Sequence, residues 1–336
     1  MQFHLSFPVD TLENGIQYGD QLLLMGSCFA EEIGRKLEAN FFNTLINPHG
    51  ILFNPLSITH ALTTYLDGKV YTKNDLFFHD DRWHSWDHHS RFSGADPDKV
   101  LEEINRHQQQ AAAQLENADW LVLTLGSAHA WHLKENNRLV ANNHKVPGDN
   151  FYKRLLSAEE IITALDNVMH RLFFRNRKVN ILFTVSPVRY IRDGVVENNL
   201  SKAVLLQAVH HLVNKFARLY YFPAYELVID DLRDYRFFKE DLVHPNQQAI
   251  DYVWDKVLGH CLHPQSLPIL KQLSELRKAA AHRPFHPERP PSAVPGYPGG
   301  ESAAADGGAS GTAAAAIIGA AAVAAIIKLL LSVRGS

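Results

Sequence analysis

Two cysteines in 336 residues, Cys28 and Cys261, cannot make a disulfide framework, so the fold must hold by packing. Such sparse cysteine suits a reducing compartment, and the cytoplasm is the expectation. Positive charge is not in excess either. Lys and Arg number 33 against 36 Asp and Glu, a formal net charge of -3, which gives no general attraction to nucleic acid or to an anionic membrane. The opening MQFHLSFPVDTLENG lacks the basic stretch and apolar run of a secretion signal, so none is expected. No internal repeat is visible. What is present is ordinary for a globular protein: 46% hydrophobic and 21% charged residues, in a chain long enough for one large or two small domains with a substantial core.

The C-terminal stretch differs in kind. Residues 283–312 are rich in Pro, Gly, Ala and Ser and read as a linker, because they cannot bury enough surface to offset the entropy of ordering. Residues 313–336 begin with AAAAIIGAAAVAAIIKLLLSV, apolar except for Lys328. That length fits a membrane anchor, but its alanines are nearly neutral for insertion, and an Ala-rich helix or unconstrained tail fits as well. Any membrane association would run through this tail alone.

Residues 1–282 alternate short apolar runs with amphipathic patterns. Strands are expected at 21–25, 120–125, 179–185 and 226–230, and helices at 31–39, 98–117, 158–174, 200–220 and 246–258. Strands apolar on both faces and separated by helices predict a parallel sheet covered on both sides, a three-layer α/β/α sandwich. Working groups then belong at the carboxyl ends of the strands.

Two stretches carry chemistry there. The first, LLLMGSCFAEEIGRKL (22–37), drives a buried strand into Gly26-Ser27-Cys28 and then into a helix, whose N-terminal amides can stabilise a thiolate or an oxyanion. The residue types leave both Ser27 and Cys28 open as nucleophile, with Ser27 as a helix cap and Cys28 as a small buried filler the bland alternatives. The second, DLRDYRFFKEDLVHPNQQAIDYVW (231–254), contains Asp241 three residues before His244 in a loop that enters a helix. A carboxylate so placed can fold back on the imidazole, fix its tautomer and stabilise the imidazolium.

Together these segments resemble the SGNH/GDSL hydrolase superfamily, and more specifically the GSCFA family, whose five-residue block stands here as Gly26-Ser27-Cys28-Phe29-Ala30. NPHGILFNP (47–55), RWHSWDHHS (82–90), NNHKVPG (142–148) and TVSPVRY (184–190) belong to the same resemblance, which covers roughly residues 5–262. It implies an SGNH-hydrolase-like domain without a cofactor. The superfamily's first block, Gly-Asp-Ser, lays its nucleophile on Cys28 and its Asp on Ser27. A helix N-terminus and His244 are then expected to lower the Cys28 thiol pKa. The second block implies an oxyanion amide at Gly50, with Asn54 close behind as a side-chain donor. The third, Gly-x-Asn-Asp, is broken: Gly126 remains, but Ala128 and His129 replace Asn and Asp. Losing one such donor typically costs about 100- to 1000-fold in rate, unless Asn54, Asn143 or His144 replaces it.

Other polar clusters are less specific. His84, Asp87, His88 and His89 have metal-ligand types but adjacent placement, and no metal is expected. Trp83 and Trp86 there read as a pocket wall. His144 and Lys145 could face an anionic substrate group, and Arg189 could clamp one or pair with Asp193 or Asp231. The expected function is acyl transfer, as an esterase or an O-acyltransferase, on a small-molecule or saccharide acyl ester. The alternative is an inactive carbohydrate- or acyl-binding module on the same fold, lined by Trp83, Trp86 and Trp131.

Overall fold

Residues 7–281 are described by the structure, a computed structural model. They divide into two compact units, one from residues up to Ile16 with Asp20–Leu262, the other from Gln17–Gly19 and the chain from His263 onward. The linker and tail expected at 283–312 and 313–336 lie outside the described residues. Among the described residues no helix is long and apolar enough to cross a membrane.

The first unit is built on three runs that are buried along nearly their whole length: β1 (Gln21–Gly26), β5 (Trp120–Leu125) and β9 (Asn180–Val185). With no polar side to turn to water, such runs need cover on both faces. They form the centre of a five-stranded parallel sheet in the order β10-β9-β5-β1-β2, with β2 at Asn43–Ile46 and β10 at Leu219–Tyr221 on the edges. Leu23, Leu121, Leu123, Ile181 and Phe183 are fully buried in its core. Helices α1 (Cys28–Ala39), α2 (Pro55–Asp67), α3 (Pro97–Asn117), α4 (Ala158–Arg175), α5 (Val195–Lys215) and α7 (Gln247–His260) make up the helical layers, so the three-layer α/β/α sandwich is the observed architecture. Five of these six helices start where the sequence offers a side-chain cap: Ser27 before α1, Asn54 before α2, Asp96 before α3, Ser157 with Glu160 before α4, and Asn246 before α7, while α5 follows Gly194 without one.

Two small sheets are inserted along the chain, a hairpin of β3 (Leu76–His79) and β4 (Arg82–Ser85) between α2 and α3, and an antiparallel trio of β6 (His129–Leu133), β7 (Leu139–Val140) and β8 (Phe151–Leu155) between β5 and α4.

Three boundaries differ from expectation. Helix α1 begins at Cys28 rather than residue 31, because Ser27 caps it. The helix expected at 200–220 runs instead from Val195 to Lys215, and Leu219–Tyr221 pairs with β9 as an edge strand. The strand expected at 226–230 is helical: α6 (Ala224–Glu226) runs into a π-helical turn, Leu227–Leu232. There Leu227, Val228 and Asp231 share the buried side, and packing overrides the β-propensity of Val and Ile.

In the second unit the described helix is α8 (Ser266–Ala281), entered by a turn in which the Ser266 amide donates to the His263 carbonyl at 2.8 Å.

Candidate active site

In a parallel sheet every strand ends at the same edge, so the segments after β1, β5 and β9 gather there. The β1 exit is the tightest. Gly26 has φ of +135°, and a Cβ added to it would lie 2.1 Å from the Thr124 carbonyl oxygen on β5. Only glycine brings the two backbones this close. Ser27 then donates its N–H to Thr124 O at 3.1 Å and accepts from the Phe29 amide on Oγ at 3.3 Å, with its side chain buried. Its hydroxyl serves the helix start. Cys28, the next residue, is partly exposed in the first turn of α1.

The corner is held from outside by Asn47. Its Oδ1 accepts the Gly26 N–H at 2.8 Å, its N–H donates to Leu24 O at 2.8 Å, and its backbone sits at φ +44°, a region asparagine tolerates better than most residues. The Asn47 carbonyl accepts from the Arg91 guanidinium and from the Gly50 amide, the latter at 2.7 Å.

At the far side of the edge, His244 Nδ1 and Asp241 Oδ2 are 2.7 Å apart, while Asp241 Oδ1 accepts the Val243 and His244 amides at 2.9 and 3.0 Å. Those amides, with the imidazole behind them, hold the Asp241 carboxyl down to about 2. Leu242, at φ +57°, makes the turn tight. Arg189, just beyond β9, fastens this loop: its amide donates to Val243 O at 3.2 Å and its guanidinium to Leu242 O at 3.1 Å, over the Phe238 ring. Arg189 is thus no ion pair with Asp193, which pairs with Lys153, nor with Asp231, which accepts from Tyr252.

The thiol itself departs from expectation. Burial pushes the Cys28 pKa up, against the pull of the Cys28 and Phe29 amides, and the carboxylates of Glu31 and Glu32 push it further. At neutral pH the resting cysteine is therefore a thiol.

The candidate oxyanion donors are mostly committed elsewhere. Gly50 spends its N–H on Asn47 O, and Gly126 donates to Phe53 O at 2.8 Å. Asn54 is the α2 cap, its Oδ1 accepting from the Ser57 amide at 2.8 Å and its Nδ2 donating to Ser57 Oγ at 3.0 Å. Asn143 closes a turn, its carbonyl accepting the Val146 amide at 2.9 Å. His144 is buried beside Phe77, His84 and Trp86, and its Nε2–H donates to Ser85 O at 2.8 Å. An α-helix leaves its first amides without intrahelical acceptors, and the Cys28 N–H is one of these.

The RWHSWDHHS stretch is architectural. His84 bonds Ser93 and His79, while His88 bonds Ser85 Oγ at 2.9 Å and stacks on His49 with ring centroids 4.1 Å apart. His89 caps a short turn, and Asp87 pairs with His60 at 3.1 Å and Arg138 at 3.0 Å. Among the described residues no group of three or more His, Cys, Asp or Glu could hold a metal ion. The tryptophans do not form one wall. Trp83 packs with Tyr71 and Phe92, whereas Trp86 and Trp131 pack with Leu133, Val140 and Phe151.

This buried network should make the protein acid-sensitive. Burial pushes His88 down to about 3 and His144 to about 4, and His49 well below its ordinary value. An unfolded histidine binds its proton near pH about 6.5, so between there and the folded values the unfolded state holds more protons. Stability therefore falls as pH falls through that window. The melting temperature should drop steadily from about pH 7 to about pH 4.5 in calorimetry. His144→Gln should flatten the slope, and a flat wild-type profile would contradict neutral burial.

The profile of the GSCFA family matches residues 21–257, which include the corner and the Asp241–His244 pair. No curated protein matches the chain. Among solved structures, an acetyl esterase mutant with an acetate ion aligns at 9% identity, covering 75% of this chain and 98% of that one, with a TM-score of 0.35. A carbohydrate esterase family 3 protein from Talaromyces cellulolyticus aligns at 9% identity with the same coverages and a TM-score of 0.33. Likenesses this distant speak to neither substrate nor mechanism.

Proposed function

Because the chain belongs to the GSCFA family, we propose that it is an acyl-transfer enzyme of SGNH-like type, an esterase or O-acyltransferase acting on a small-molecule or saccharide acyl ester. The observation that carries this reading is the Asp241–His244 pair, 2.7 Å apart on a loop fastened to the carboxyl edge of the sheet. Cys28 is the nucleophile. Its Sγ attacks the acyl carbonyl while its proton passes to His244 Nε2, and Asp241, ionised at any working pH, stabilises the imidazolium through Nδ1. The Cys28 amide and the start of α1 meet the oxyanion. Collapse of the tetrahedral species returns the proton from His244 to the leaving alkoxide, and water or a second alcohol then takes the acyl group from sulfur.

One observation favours a second reading. The Gly50 and Gly126 amides are committed, and Ala128 stands where an oxyanion Asn would be, as suits a module that binds acylated saccharides without turning them over. A panel of short-chain aryl acyl esters, acetylated saccharides and acyl-CoA donors separates the two. Turnover that vanishes in Cys28→Ala supports the enzyme. Ser27→Ala should keep turnover while costing about 0.5–2 kcal/mol of stability through the lost cap. Binding without turnover, unchanged in Cys28→Ala, supports the module.

A further inference from the structure

Lys202 on α5 continues the helix's buried stripe, three residues before Leu205 and seven before Val209, and is almost wholly without exposure. A buried ammonium is costly unless something compensates its charge. Here the compensation is partial. Its Nζ donates to Gly126 O at 2.6 Å and Ser186 O at 2.7 Å, the residues that leave β5 and β9, and no carboxylate pairs with it among the described residues. Two carbonyls satisfy the two N–H groups of a neutral amine. An ammonium has three, so the third finds no acceptor among the described residues. The same helix turn braces the edge, since Ser201 Oγ accepts the Ala128 amide at 2.7 Å and Asn198 Oδ1 accepts the Tyr190 amide at 2.8 Å. Gly26 lies opposite Thr124 in the β1–β5 pairing, so the Gly126 carbonyl that holds Nζ stands at the strand end beside the Cys28 corner.

We propose that Lys202 is the electrostatic partner of Cys28, a positioning residue that ties the ends of β5 and β9 and favours negative charge at the corner. The inference rests on Cys28 being the reacting residue. Burial brings the ammonium down to about 7, and the titratable group whose charge raises it again is Cys28. Near neutrality the lysine is therefore poised to gain a proton as negative charge appears beside it, on the thiolate or the oxyanion. Burial also lowers the pKa of His129 on β6.

The test is the titration of Lys202, followed by NMR of lysine labelled with carbon-13 at Cε, in Cys28→Asp and Cys28→Asn. The midpoint should lie about one pH unit or more higher with the aspartate than with the asparagine. Equal midpoints would overturn the proposal. A second measurement needs neither variant. In Lys202→Met, iodoacetamide should label Cys28 about tenfold more slowly at neutral pH than in wild type, with the profile shifted to higher pH. An unchanged labelling profile in folded Lys202→Met would also overturn it. Cys261, fully buried and pushed up to about 12, does not compete for the reagent. If Cys28→Ala retains turnover while the midpoints differ, Cys28 is not the nucleophile and the electrostatic pairing stands.

Discussion

Gly26→Ala should leave little folded protein. The new methyl would meet Thr124 O at 2.1 Å, its carbonyl carbon at 2.8 Å and its nitrogen at 3.0 Å, and backbone in a central strand cannot step aside. The residue would also be held at φ +135°, where side chains are strained. Either β1 and β5 separate, losing the pairing that spans Leu22–Gly26, or the corner flips and Ser27 leaves its cap. Both outcomes belong to the rare substitutions that cost more than about 4 kcal/mol, against a typical total of about 5–15 kcal/mol. Gly68→Ala is the control. Gly68 also has positive φ, +63°, but its missing Cβ would meet nothing within 4 Å, so it should cost only about 1 kcal/mol. Denaturant unfolding of the two variants compares contact with strain. If they behave alike, close approach of β1 and β5 is not what fixes the corner.

Asp241→Asn should lower kcat about 10,000-fold while KM changes little. The substitution spares the loop, because an amide oxygen can still accept the Val243 and His244 N–H groups that Oδ1 accepts now. What changes is the partner of His244 Nδ1. An Asn NH2 placed there donates, so Nδ1 must accept and the ring proton moves to Nε2. His244 then has no lone pair for the Cys28 proton, and no carboxylate stabilises the imidazolium. The same geometry fixes the pH dependence. Since the wild-type carboxyl is held down to about 2, its loss on protonation falls far below any acid limb near neutrality, and Asp241 contributes no inflection there. A loss under about tenfold would mean that the pair is structural and the proton goes elsewhere.

Much of this was legible in the amino-acid sequence. WLVLTL and the run ending at Met25 read as strands buried on both faces, and GSCFA and EDLVHPN each join residue types to a spacing that chemistry uses. Leu219–Tyr221 was hidden because three residues at an edge carry no period, and a preceding amphipathic helix absorbs them. Glu226–Asp230 misled because Val and Ile favour strands, while the decisive contacts, Tyr221 on Glu226 and Tyr252 on Asp231, come from elsewhere in the chain. Gly50 and Gly126 share the glycine signature of an amide donor, but whether an amide is free depends on a carbonyl across a turn. Lys202 did leave a signal, a lone cation on the stripe continued by Leu205, Val209 and Leu212. Asn47 left almost none, since its worth lies in one hydrogen bond to Gly26.

The central claim is that Cys28 takes the acyl group. Wild-type protein, mixed with an activated acetyl ester and quenched in acid within the first turnover, should carry one acetyl group on the peptide that contains Cys28. Fragmentation should place it on sulfur, and hydroxylamine should remove it. In His244→Ala the adduct should form far more slowly. An acetyl group on Ser27, or an unmodified corner in protein that turns the ester over, would contradict the account.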